Sequence, residues 1–395
     1  MASRRRKTAA PKTPPKSPPK SPNAGAGAAR REPIFRLPPF KIEAVFTIRA
    51  QTVDWGVTLL GVPALWKTSR GAGVRVAVLD TGISLIHSDL RDAILEARDF
   101  TGSRSGPSDQ NSHGTHCAGV VGARDNDSGI IGIAPECGLL IGKVLGDDGS
   151  GSSAGIAAGI RWAIDQKADV ISMSLGSPSP SRAITQAVSE ALAAGIPVVC
   201  AAGNEGPALD SIGWPARQPG TISVGAIDRR KEIARFSSRG ERVDVVAPGD
   251  NILSDIPPNN LGILSGTSMS TPAVTGTIAL RIGLKRTLGQ KLDTPAELLA
   301  VLRGTAEDLG QSGKDHHYGY GLISPEKLLA GVPPVPVAPP PPVMPPAPPV
   351  APPTMPGVPP DVVTLRSLEL TANDLTPAGV EKVRAAGVER FLLQA

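Results

Sequence analysis

Between residues 51 and 331, short and almost unbroken apolar runs recur along the chain: VRVAVLD (74–80), GLLIGKVL (138–145), ADVISMSL (168–175), IPVVCAAGN (196–204), TISVGAID (221–228) and VDVVAPG (243–249). Runs without polar alternation are those of strands buried on both faces, as in a parallel sheet covered by helices. Stretches with helical spacing lie between them, at 152–167 and 181–194, the second stopped by Gly195. Thr294-Pro295-Ala296-Glu297 forms a capping box with proline at the first helical position and opens a helix to about residue 304. Ser324-Pro325 opens a last short helix that Gly331 ends. The alternation predicts one α/β domain over 51–331, a three-layer fold with a mostly parallel sheet and helices on both faces.

Composition changes the picture mainly at the ends. Many of the 41 prolines crowd into residues 11–22 and 333–360. Residues 1–31 read as a disordered basic arm and 332–360 as a polyproline II linker. Residues 32–50 read as a short extended segment, and 361–395 as a small C-terminal segment to which no chemistry attaches. The formal charge of +5 belongs to the arm: residues 1–31 hold nine Lys and Arg and no acid, and removing those nine charges from +5 leaves −4. No aromatic residue interleaves with the arm's charges, so no nucleic-acid partner is expected. No secretory leader with an apolar centre and no run of 18 apolar residues is visible, so no membrane span is expected. An odd cysteine count of three argues against a disulfide framework and points to a cytoplasmic protein.

The candidate chemistry falls at or just beyond the ends of the predicted strands, where α/β folds place their ligand sites. Asp80 closes a strand in VAVLDTG, His113 opens a small-residue helix in NSHGTHCAGVVG, and Ser268 lies in SGTSMSTPAVTG at the start of another helix. A serine hydroxyl is a weak nucleophile near neutral pH and needs a base such as histidine; a carboxylate can orient that histidine. The order Asp, His, Ser in these contexts is that of subtilisin. The motifs DTG, HGTH and GTSMSTP together resemble the subtilisin family over about 280 of the 395 residues. The resemblance implies a serine endopeptidase acting on peptide or protein substrates, with Asp80, His113 and Ser268 as a triad and Asn204, in AAGNEG, as an oxyanion donor. An α/β-hydrolase esterase would need Gly-x-Ser-x-Gly and the order Ser, Asp, His, neither of which is present. The basic arm and proline linker resemble interaction devices, so a second reading has the fold serving chiefly as an interaction or maturation module for one protein partner. Nothing in the sequence sets an oligomeric state.

The same resemblance implies a peptide-binding cleft with Ser174, Leu175 and Gly176 on one edge and Gly149, Ser150 and Gly151 on the other. Gly203 and Gly213 would wall a first pocket for a large apolar residue, with Glu205 tolerating a basic one. It further implies a structural Ca2+ held by Gln51, Asp89, Asn126 and the carbonyls of Arg124, Ser128 and Ile130, hard oxygen ligands for a hard cation. Cys117 stands one turn after His113, as in subtilases similar to proteinase K, and also suits a small core position. Cys137 and Cys200 read as core, and His87, His316 and His317 as surface or loop residues. His116 belongs to no HExxH motif, so zinc chemistry is not expected. Finally, Arg36-Leu37-Pro38-Pro39-Phe40 loosely resembles the Leu-x-Pro-aromatic motif with which intracellular subtilisins block their cleft, so residues 33–50 are expected to be inhibitory.

Overall fold

A computed structural model describes residues 32–330, apart from 39, 41, 48 and 49; the basic arm, the proline linker and the segment 361–395 lie outside the described residues. The elements in chain order are β1 (Ile34–Arg36), β2 (Ile42–Thr47), α1 (Trp55–Leu59), α2 (Val62–Leu65), β3 (Arg75–Asp80), β4 (Ile94–Asp99), α3 (His113–Gly122), β5 (Gly138–Lys143), β6 (Ser150–Ser152), α4 (Ser153–Asp165), β7 (Val170–Met173), α5 (Arg182–Ala193), β8 (Val198–Ala201), β9 (Ile222–Ile227), β10 (Val245–Pro248), β11 (Ile252–Ile256), β12 (Asn260–Leu264), α6 (Thr267–Thr287), α7 (Pro295–Thr305) and α8 (Pro325–Leu329).

Seven strands form one sheet in the order β10-β9-β8-β7-β3-β5-β4, and every pairing in it is parallel. All residues of β7, β8, β9 and β10 are buried, so both faces of the sheet are covered. Helices α3 and α6 pack together and onto the sheet, while α4 and α5 form a second pair. One continuous apolar core runs through these layers. The predicted capping box holds: the Thr294 hydroxyl accepts from the Glu297 amide, and the Glu297 carboxylate accepts from the Thr294 amide at 2.8 Å. Among the described residues no helix is long and apolar enough to cross a membrane.

Two smaller sheets lie outside this frame and both involve the N-terminal segment. β1 pairs antiparallel with β6, and β2 pairs antiparallel with β12 of the β11–β12 hairpin. Phe35, in the middle of β1, is fully buried and belongs to the main core. The segment expected only to be extended is therefore folded into the body of the domain.

Candidate active site

Asp80 ends β3, and the tight turn Thr81-Gly82 behind it packs against the first turn of α3. Gly82 has φ +106°, and a Cβ on Gly114 would lie 2.3 Å from the Gly82 carbonyl oxygen, so the DTG and HGTH motifs meet where no side chain fits. Asp109 fastens this junction. Its Oδ1 accepts from the Thr81 hydroxyl at 2.9 Å and from the amides of Asn111 and Ser112, and its Oδ2 accepts from the Thr115 amide and hydroxyl. These bonds satisfy donors at the start of α3 that the helix itself leaves open.

The junction brings Asp80 Oδ1 to 2.8 Å from His113 Nδ1. Ser268 sits in the first turn of α6, and its carbonyl shows how close that helix comes. Pro272 lacks the amide that would bond the carbonyl four residues earlier. The Ser268 carbonyl instead accepts from the Ser174 hydroxyl at 3.0 Å and the Cys117 thiol at 3.4 Å, and the same sulfur lies 3.8 Å from His113 Nδ1. Asp80, His113 and Ser268 are 1%, 0% and 0% exposed. Buried His113 Nε2 and Ser268 Oγ have no hydrogen-bond partner among the described residues. Two reactive atoms held out of water and left unpaired are unusual in a folded core, where such groups are nearly always bonded.

Burial, the largest influence on His113, pushes its pKa down, but the adjoining Asp80 carboxylate outweighs it and the net position is well above the ordinary histidine value. His116, equally buried but without a carboxylate, is pushed down to about 3 by burial, and its Nε2 is 3.0 Å from the Ile252 carbonyl. Burial raises the Cys117 thiol, which keeps it neutral; burial also raises Cys137 to about 12 and raises Cys200, and all three cysteines are free.

Asn204 follows β8. Its Oδ1 accepts from the Thr267 amide at 3.0 Å and the Thr267 hydroxyl at 2.9 Å, which turns the amide nitrogen end toward the start of α6, where a Cβ on Gly266 would lie 3.0 Å from Nδ2. The segments expected to edge a cleft both pair with the N-terminal strand. Arg36 exchanges both backbone hydrogen bonds with Gly176, at 3.0 and 2.9 Å, and the Leu37 amide donates to Gly149 at 3.1 Å. On the other side β1 pairs with Ser150, Gly151 and Ser152. A cavity of 740 Å3 opens beside this strand, lined among others by Gly203, Gly213, Glu205, Asp210 and Pro38. Ser174 and Leu175 do not line it: Ser174 faces the Ser268 carbonyl and Leu175 is in the core. The Phe40 ring lies 4.9 Å from the His113 ring, centre to centre, tilted by 57°.

The expected cation ligands gather in one loop region. Gln51 Nε2 lies 2.9 Å from the Arg124 carbonyl and 3.4 Å from that of Ile130. Asp89 Oδ2 accepts from the Ile130 amide at 2.9 Å, while Asn126 Oδ1 accepts from the Ser128 amide at 3.2 Å. His87, expected at the surface, is fully buried. Its Nε2 is 3.0 Å from the Asn260 carbonyl and its Nδ1 accepts from the Asp89 amide, because the loop carrying it is tucked beneath the β11–β12 hairpin.

Besides Asp109, sequence reasoning did not single out the buried ionisable residues Lys143 and Asp255. Lys143, 0% exposed, donates to the Thr81 carbonyl at 2.5 Å and pairs with Asp147 at 2.9 Å, bracing the turn behind Asp80. A lysine inside the run GLLIGKVL was the available signal. Asp255 lies beside His87 and Asp89, and burial together with Asp89 pushes its pKa well above the ordinary value.

Comparison with known proteins places this arrangement. Residues 71–321 match the model of the subtilase family, peptidase family S8. The chain is 44% identical over 275 residues to an intracellular serine protease of Paenibacillus polymyxa, covering 68% of this chain and 84% of that protein. It is 42% identical over 280 residues to subtilisin DY of Bacillus licheniformis, covering 70% and 98%. It is also 42% identical over 284 residues to the major intracellular serine protease of Bacillus subtilis strain 168, covering 69% and 89%. With a family match across more than half its length, the chain belongs to the subtilase family and is a subtilisin-like serine endopeptidase.

Proposed function

We propose that this endopeptidase cleaves through Asp80, His113 and Ser268, and that its own N-terminal segment holds the cleft shut. The observation that carries the reading is the Asp80–His113 contact of 2.8 Å beside a Ser268 hydroxyl and a His113 Nε2 that are buried and lack partners. In the open enzyme, His113 Nε2 takes the Ser268 proton as Oγ bonds to the scissile carbonyl carbon, and then returns it to the leaving amine. Water, deprotonated by the same imidazole, hydrolyses the acyl-enzyme and regenerates the serine. Asp80 holds Nδ1–H and stabilises the imidazolium. The oxyanion receives hydrogen bonds from Asn204 and from the backbone amide at the start of α6, where the helix dipole adds its positive end.

The substrate enters as a strand between Ser174–Gly176 and Gly149–Gly151, as β1 does here, and main-chain pairing makes for broad specificity. The glycine-walled cavity of 740 Å3 suits a large apolar side chain, with Glu205 leaving room for a basic one. Pro38 lines the cavity beside the catalytic centre, and the amide that precedes a proline, tertiary and without N–H, makes a poor substrate. Residues 33–50 therefore inhibit until displaced or removed. Full-length Phe40→Ala, which loses the ring on His113, is expected to hydrolyse a tetrapeptide anilide at least ~10-fold faster than the unsubstituted chain, as is a chain beginning at Gln51. Equal rates in all three would end the inhibitory reading, leaving the triad untouched.

A calcium ion held by Gln51, Asp89, Asn126 and the carbonyls of Arg124, Ser128 and Ile130 fits the donor chemistry. Two carbonyl oxygens converge on one end of the Gln51 amide, and turning that amide over would present a third oxygen, a set that a hard cation satisfies. Bound at about 100 times its dissociation constant, the ion would add ~2.7 kcal/mol. Chelation is then expected to lower Tm by about 5–10 °C, and Asp89→Asn to abolish the difference between chelated and calcium-loaded protein. An unchanged Tm on chelation would remove calcium from the account. Three free, buried thiols suit a reducing compartment, and two of the relatives above carry "intracellular" in their names, which together support a cytoplasmic location.

A further inference from the structure

The N-terminal chain does not stop at the catalytic centre. β1 lies between β6 and Gly176, Pro38 stands at the mouth of the specificity cavity, and Phe40 rests on His113. The same chain then continues as β2 along the edge of β12. The register is antiparallel from Leu264↔Ile42 to Asn260↔Thr47, with one irregularity between Ile263 and Leu264. Counted from Pro38, Ile42 is the fourth residue beyond and Thr47 the ninth. The chain thus leads from the cleft, on the side of the leaving amine, onto the β11–β12 hairpin.

The apolar side chains of β2 stay partly in solvent. Ile42, Val45 and Phe46 are 37%, 55% and 45% exposed. What β12 offers is a strand edge, a row of N–H and C=O groups that recruits another backbone. Recognition by main chain tolerates many sequences. The backbone pairing along that edge is open to any strand, and a polypeptide lying in the cleft would be led onto it by the same geometry.

We infer that the edge of β12 is an extended substrate-binding site, which takes the stretch of an unfolded polypeptide four to nine residues beyond the cleaved bond and adds it as a strand in place of β2. The inference rests on reading residues 34–40 as occupying the substrate track. It means that the enzyme favours long, unfolded chains over short peptides and over folded proteins, whose backbones are already paired.

The test uses the full chain with Ser268→Ala, so that bound peptides survive, combined with Ala44→Pro or Val45→Pro to free the edge. Successive residues of a strand aim their N–H groups to opposite sides, so one of these two prolines must remove a donor facing β12. Three synthetic peptides are compared: residues 35–40; residues 35–47; and residues 35–40 carrying an unrelated, proline-free tail as long as residues 41–47. Both long peptides are expected to bind about 10-fold tighter than the short one. Amide exchange at Asn260–Leu264 is expected to slow on binding of the long peptides alone. If the short peptide binds as tightly as the long ones, or no protection appears at Asn260–Leu264, the extended site is refuted while the cleft reading stands. If only the native tail gains affinity, the edge is a private dock for β2 and the substrate inference fails. If no peptide binds even when Phe40→Ala is added to open the cleft, the cleft reading falls first and this one with it.

Discussion

Ser268→Ala is expected to lower kcat on peptide substrates by about 10^6-fold, the scale of the loss when the nucleophile is removed in subtilisin. The comparison is made in the uncovered enzyme, for instance with Phe40→Ala present in both proteins, so that closure of the cleft does not mask the chemistry. The large figure follows from the division of labour: once Oγ is absent, His113 has no proton to take and Asp80 nothing to orient, so the triad fails as a unit. What survives is the contribution of Asn204, the α6 amide and substrate positioning, about 10^3–10^4 over water. KM should change little, because Ser268 Oγ makes no hydrogen bond among the described residues. Stability should hold or rise slightly, since the substitution removes a buried hydroxyl without a partner. A fluorophosphonate label on the unsubstituted protein must vanish in the variant. A loss below about 10^3-fold with labelling retained would place the nucleophile elsewhere.

The parts of this architecture that depend on local pattern were legible in the chain. Six strands of the main sheet are apolar runs because parallel strands covered on both faces leave no room for polar alternation, and the Thr294–Glu297 capping box is a purely local device. β4 was missed for the opposite reason. It is the edge strand of the sheet, and ILEARD alternates partly exposed residues that carry no run. β1, β2 and β6 are short or exposed, and acquire strand geometry only from partners far away in sequence. Gly176 and Gly149–Gly151 stood out by motif resemblance, but not the strand that pairs with them: that Phe35 is a core residue and that the Phe40 ring lies tilted against His113 are tertiary facts. His87 looked like a loop histidine because its loop is polar; the hairpin that buries it lies about 170 residues further on. Asp255 carries no motif at all, and only the packing of β11 against the Asp89 loop makes it notable.

Asp80→Ala is the second large effect, and it separates orientation from nucleophilicity. A loss of about 3 × 10^4-fold in kcat is expected, smaller than that for Ser268→Ala because the hydroxyl and the imidazole both remain. The more telling readout is pH. The Asp80 carboxylate is what lifts His113 above its ordinary value against the opposing pull of burial. With the carboxylate gone, burial, the largest influence, is opposed only by the smaller effect of Cys117, and the imidazole pKa should fall below the ordinary value. Catalysis needs the imidazole neutral, so the acid limb of the residual kcat/KM should move to lower pH even as the plateau drops. The stability profile moves with it. A histidine raised on folding binds its proton more tightly in the native state; its contribution is fully present below the unfolded pKa of about 6.5 and is lost as pH rises through the folded value. Full-length Ser268→Ala should therefore lose stability on going upward from about pH 6.5, and adding Asp80→Ala should abolish that decline and reverse its sign below it, where protonating a buried, unpaired imidazole now opposes folding. Titration of the His113 ring by NMR in the two proteins decides the matter: an unchanged ring pKa would mean that Asp80 does not govern the imidazole, and the triad would lose the member that makes it more than a serine beside a histidine.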